Sequence, residues 1–102
     1  MKLLVVLSIK EHQERVASLL QNAGVVKFSV ADITGYKKRE ESLGWFANSN
    51  NAKTNSIMLF SFTSEEVASE AIAQIENCNM EIKSRFPAHA FVMDVELFSK
   101  IM

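Results

Sequence analysis

The sequence predicts a single α+β domain, a ferredoxin-like βαββαβ sandwich with two helices on one face of a four-stranded antiparallel sheet. A long loop is expected between the second and third strands. Three observations lead there. Apolar runs of strand length alternate with stripes of helical period in the order β-α-β-β-α-β. The chain has 102 residues, enough for one domain spanning 1–102 and too few for two. The stretch from Gly35 to Asn55 carries no clean period, and about 20 residues without structure is long for a compact domain.

The first strand is the run Leu3 to Ile9, rich in Val, Leu and Ile, as suits a central strand covered on both faces. From Glu11 the period changes: Val16, Leu19, Leu20 and Ala23 recur at i, i+3, i+4 and i+7, one stripe of an amphipathic helix. Asn22-Ala23-Gly24 stops it, with Gly24 the expected left-handed cap. In VVKFSVADI, Val26, Phe28 and Val30 alternate with Lys27, Ser29 and Ala31, the period of a second strand. Gly35 ends that pattern. Ser56 to Phe62 reads as the third strand. Thr63 with Glu66 three residues on reads as a capping box. Val67 or Ala68, then Ala71, Ile72 and Ile75, follow as the second helical stripe, closed by Asn77-Cys78-Asn79. Ala88 to Leu97 is expected as the fourth strand, with Phe91, Met93 and Val95 on one face. Right-handed crossovers then put both helices on one side of the sheet. The opposite face must be wetted or covered by a partner.

Composition narrows the function classes. A hydrophobic fraction of 48% is high for so short a chain and favours a buried subunit interface. A formal net charge of −1 gives no field to steer the chain to nucleic acid. One cysteine, Cys78, excludes an internal disulfide and fits a reducing compartment, so a cytoplasmic location is expected. No stretch approaches the roughly 20 apolar residues of a membrane span, so no direct membrane insertion is expected.

The loop tract holds the most suggestive residues. Tyr36-Lys37-Lys38-Arg39 sets three cations beside one aromatic, a combination able to hold a phosphate or carboxylate, with Arg39 capable of bidentate contact. The plain alternative is a solvated loop base balanced by Glu40 and Glu41. Trp45 and Phe46 stand in a polar loop, where aromatics serve as partner anchors or fold back onto the domain. His12, His89, Cys78, Met58, Met80, Met93 and Met102 carry soft donors, but no spacing among them matches a metal motif. Asp32, Asp94 and Glu96 could form a carboxylate cluster or simply pair with lysines. No nucleophile elbow and no Walker loop is present.

The segment GVVKFSVADITGYKKR, from Gly24 to Arg39, resembles the PII signalling family. There a helix ending in Ala-Gly is followed by a strand, a Gly-aromatic turn and basic residues leading into a long loop. The chain's length and element order agree, as does TSEEVASEAIAQIE at the second helix. The resemblance implies a homotrimer that encloses its sheets, takes an adenine nucleotide in clefts between subunits, and grips a transporter or enzyme with the long loop. It implies regulation and no catalysis. On this pattern Gly35 opens the turn at the loop base, Ser29 is the small hydroxyl residue near the adenine, and Lys38 stands beside the phosphates. Lys37 and Arg39 stand where the family has a second glycine and a glutamine. Ser84 to His89 replaces the family's glycine-rich second phosphate turn, with Arg85 the one candidate cation there. Two other readings remain open on the residues alone. One is a metal-responsive binder using His, Cys or Met. The other is a small dimeric α+β-barrel enzyme with His89 as the residue of interest.

Overall fold

The computed structural model describes residues 1–38 and 51–100. Four strands, β1 (Lys2–Ile9), β2 (Ser29–Lys38), β3 (Asn51–Thr63) and β4 (His89–Asp94), form one sheet in the order β2-β3-β1-β4. Every neighbouring pair is antiparallel. Two helices, α1 (Gln13–Asn22, entered through a 3-10 turn at Lys10–His12) and α2 (Glu65–Ile82), complete the βαββαβ order. This is the ferredoxin-like sandwich that the alternation of periods predicts.

The register sorts the side chains. Leu4, Val6 and Ser8 of β1 stand opposite Ser61, Leu59 and Ile57 of β3. All six are buried beneath the helices. The helices answer with Val16 and Leu20 from α1 and with Ala68, Ala71 and Ile75 from α2. The two buried serines are satisfied: Ser61 Oγ donates to the Lys27 carbonyl at 2.6 Å and Ser8 Oγ to the Ile9 carbonyl at 3.2 Å. Leu3, Val5 and Leu7 point to the other face, beside Phe62, Phe60 and Met58 of β3 and Met93 and Phe91 of β4. Among the described residues no helix covers that face. Phe62, Phe91 and Met93 are each about half exposed there.

The end of α1 follows the sequence reading. Gly24 takes φ +102°, its N–H reaches the Gln21 carbonyl at 3.1 Å, and the Val25 N–H reaches the Leu20 carbonyl at 2.9 Å. Those two bonds are a Schellman motif, for which glycine is the favoured residue.

Four boundaries differ from expectation. Thr63 is the last residue of β3, so the cap of α2 is Ser64, whose Oγ accepts from the Val67 N–H at 3.3 Å. Helix α2 runs past Asn77-Cys78-Asn79 to Ile82 and ends on Lys83, which adopts the left-handed conformation at φ 53°. Strand β2 begins at Ser29, leaving Val26 outside it and 97% exposed. Strand β4 stops at Asp94, leaving Glu96 and Leu97 beyond it.

The largest correction concerns the 35–55 tract. Strands β2 and β3 stay paired from Ser29 opposite Phe60 to Lys38 opposite Asn51. Strand β1 ends at Ile9 opposite Ser56. Thr34–Lys38 and Asn51–Asn55 therefore form a two-stranded ribbon running past the end of β1. Much of the expected loop is strand.

Candidate functional site

The family-like segment lies along β2, an edge strand. Ser29 and Gly35 share the uncovered face of the sheet, opposite Phe60 and Thr54. Six strand residues separate them by about 20 Å at roughly 3.3 Å each, so one small ligand does not touch both within one chain. Gly35 is an interior strand residue and not the opening of a turn: its partner is Thr54, and of the two described glycines, Gly24 and Gly35, only Gly24 has positive φ. What Gly35 supplies is room. A Cβ there would stand 3.2 Å from Ser56 Oγ. Tyr36 is 66% exposed on the ribbon, on the helix side of the sheet. Lys37 and Lys38 close β2 opposite Ala52 and Asn51. Arg39, Trp45 and Phe46 lie outside the described residues.

Arg85 sits in the turn from α2 to β4. Strand β4 starts at His89 opposite Leu7, near the end of β1 where the ribbon begins. The turn and the ribbon therefore occupy the same end of the sheet. They stand at opposite edges, however, because β3 and β1 lie between β2 and β4. Three inter-strand steps amount to roughly 14 Å. Gly35, Lys37, Lys38 and Arg85 are thus brought to one end of the molecule but not to one pocket.

The turn itself is held closed. The Asn79 side chain bonds to Ala88 twice: its Nδ2 donates to the Ala88 carbonyl at 2.9 Å, and its Oδ1 accepts from the Ala88 N–H at 3.1 Å. Ser84 Oγ accepts from the Phe86 N–H at 3.0 Å. Phe86 lies over a narrow seam between the helices, with His12, Arg15, Leu19, Cys78 and Ile82 among its walls. Nothing in the sequence signals the Asn79 clamp, since an asparagine late in a helix ordinarily marks its end.

A second feature that sequence reasoning missed is a polar groove of about 260 Å³ at the foot of the ribbon. Lys10, Asp32, Ile33, Thr34, Asn55 and Ser56 line it. Lys10 Nζ lies 3.3 Å from Asp32 Oδ2. Asp32 belongs with that lysine and not with a carboxylate cluster. Asp94 is at the other edge of the sheet, bonded to Lys2, which also lies 3.5 Å from Glu65. The bond from Lys2 draws the Asp94 carboxyl below its ordinary 3.8, and the same bond raises the Lys2 ammonium above its ordinary 10.5. Among the described residues no three His, Cys, Asp or Glu side chains gather as a metal centre. Cys78 is half-buried in the helix seam, while Met80 is 71% exposed. Among the described residues no helix is long and apolar enough to cross a membrane.

No protein-family model matches the chain, and no curated protein sequence matches it. Solved structures do. CPII from Thiomonas intermedia K12, a nitrogen regulatory PII-like protein bound to ADP, AMP and bicarbonate, superposes with a TM-score of 0.67 at 21% identity. The match covers 98% of this chain and 94% of that one. GlnK of B. subtilis, in its ATP complex, gives a TM-score of 0.70 at 11% identity over 92% of this chain and 80% of that one. Matching of this extent at such low identity is a likeness of backbone, and it coincides with the resemblance carried by Gly24 to Arg39. The chain has the fold of the PII-like signalling proteins.

Proposed function

We propose that this chain is a non-catalytic PII-like regulatory protein, a cytoplasmic homotrimer that senses a small anionic ligand in clefts between its subunits. The observation that carries this reading is the division of the candidate ligands across the sheet. Ser29, Gly35, Lys37 and Lys38 lie on one edge strand, and Arg85 flanks the other. A site using both sets needs the β2 edge of one copy beside the β4 edge of the next. The uncovered sheet face supports the same assembly. Leu3, Val5, Leu7, Met58, Phe60, Phe62, Phe91 and Met93 form one apolar surface, with Phe62, Phe91 and Met93 about half exposed, and a contiguous apolar patch of this kind marks an interaction surface.

The ribbon supports a signalling role for the segment it carries. Its two strands end at Lys38 and Asn51, and the sequence joining them, with Arg39, Trp45 and Phe46, is the part of the chain we read as the contact for a partner protein such as a transporter. The nucleotides in the CPII and GlnK structures make an adenine nucleotide the first ligand to try.

Light scattering on the purified chain is the test. A trimer mass is the expected result. A monomer at micromolar concentration would overturn the inter-subunit site, and a dimer would move the weight to the barrel-type enzyme reading.

A further inference from the structure

We infer that the Lys83–Ala88 turn is a latch for the helix layer, closed to the phosphates of a nucleotide. A backbone phosphate nest needs successive N–H groups turned toward one point and free to donate. Here those donors are spent. The Lys83 N–H caps α2 through the Asn79 carbonyl at 3.0 Å. The Phe86 N–H is taken by Ser84 Oγ and the Ala88 N–H by Asn79 Oδ1. Pro87 has no N–H to give. At most Ser84 and Arg85 keep an amide to offer, and two adjacent amides do not make a cradle.

The side chains fix the turn in the same sense. Phe86 packs over the seam between α1 and α2, on the helix side of the sheet. Opening the turn around a phosphate would cost the two bonds of the Asn79 clamp and uncover part of that seam. No glycine is present between Lys83 and Ala88 to let the backbone rearrange. Asn79 and Ala88 are thus tied as two strands would be, by a donor and an acceptor on each side, and the clamp delivers the chain from α2 into β4 in register.

This deepens the ligand reading above by removing backbone-held phosphates from it. With at most two adjacent amides left, Arg85 contributes chiefly through its guanidinium, so the negative charge of a ligand there has to be met mainly by side chains.

The test is an amide-resolved NMR titration of the whole chain with magnesium-ATP and then ADP, with deuterium exchange recorded beforehand. The Phe86 and Ala88 amides are expected to exchange about fivefold slower than in an unstructured peptide, the scale of one net hydrogen bond of about 1 kcal/mol. Their signals are expected to stay in place as nucleotide is added. In Asn79→Ala, Ala88 exchange should rise toward the peptide rate. Should that variant not fold, Asn79→Asp keeps the acceptor for Ala88 and should keep its exchange slow. Saturable ATP-dependent movement of the Phe86 and Ala88 signals, or peptide-like exchange of both amides in the unaltered chain, would overturn the latch. Movement confined to Thr34 and Gly35 supports the latch and keeps a nucleotide as ligand. No movement anywhere supports the latch and counts against the nucleotide alone.

Discussion

Phe91 offers the sharpest test of what covers the open sheet face. It lies at the middle of β4 opposite Val5 and is 50% exposed in the single chain. A phenylalanine carries roughly 150–250 Å² of buriable surface, so about 100 Å² of this ring remains for a neighbouring copy to cover. At about 25 cal/mol per Å², covering it contributes roughly 2.5 kcal/mol per protomer. Phe91→Ala should remove about 2 kcal/mol of that, or roughly 6 kcal/mol over three copies, about four powers of ten in the association constant. Trimer assembly depends on the square of the protomer concentration, so the assembly midpoint should rise about a hundredfold. Light scattering across a dilution series reads that midpoint directly. Far-ultraviolet circular dichroism at the same concentrations separates dissociation from unfolding. Val26→Ala, at a site 97% exposed outside the sheet, should leave the midpoint where it is. An unchanged midpoint for Phe91→Ala, with the fold intact, would refute coverage of this face by a second copy.

Two further outcomes follow from the described contacts. Ser64→Ala should lower stability by about 1 kcal/mol through loss of the α2 cap, whereas Thr63→Ala should cost less, because only Ser64 accepts from the Val67 N–H; urea melts of the two variants distinguish the caps. The exposed Lys2–Asp94 pair should give a weak, salt-sensitive pH effect. The Asp94 carboxyl is lowered, so its stabilisation is present above 3.8 and is lost as pH falls through the still lower folded value. The Lys2 ammonium is raised, so its share is present below 10.5 and is lost as pH rises through the folded value. Melting temperatures of Asp94→Asn and the parent, compared at low and high salt, should converge at the acid end and in high salt.

How much was legible in the residues follows from which of them are covered. Strand β1 and both helical stripes were legible because burial imposes a period on them. The core residues Val16, Leu20, Ala71 and Ile75 are the ones the stripes named. Gly24 was legible because a positive φ selects glycine. The ribbon was not. Thr34–Lys38 and Asn51–Asn55 run past the end of β1, so no shared core forces apolar and polar residues to alternate, and a strand without a buried side looks like a loop. The end of α2 was misread for a related reason. Asn79 has the composition of a helix stop, but its side chain is spent on Ala88, nine residues on, while Lys83 takes the left-handed cap usually left to glycine. Of the candidate site, the residue types could be read and their positions at opposite edges of the sheet could not, since that separation depends on strand order.

The strand order also decides when the molecule can become whole. The β2–β3 ribbon joins neighbours in sequence and can pair early, but β1 sits between β3 and β4, and the Lys2–Asp94 contact closes a separation of 92 residues. On a ribosome the first strand emerges long before its second partner exists. Until β4 arrives, β1 waits with one backbone edge unpaired. Folding dominated by such distant pairings is slow, and its intermediates are exposed to aggregation. Stretches of the chain made without Ala88–Asp94 should therefore be found in the insoluble fraction, even though they contain both helices and three of the four strands.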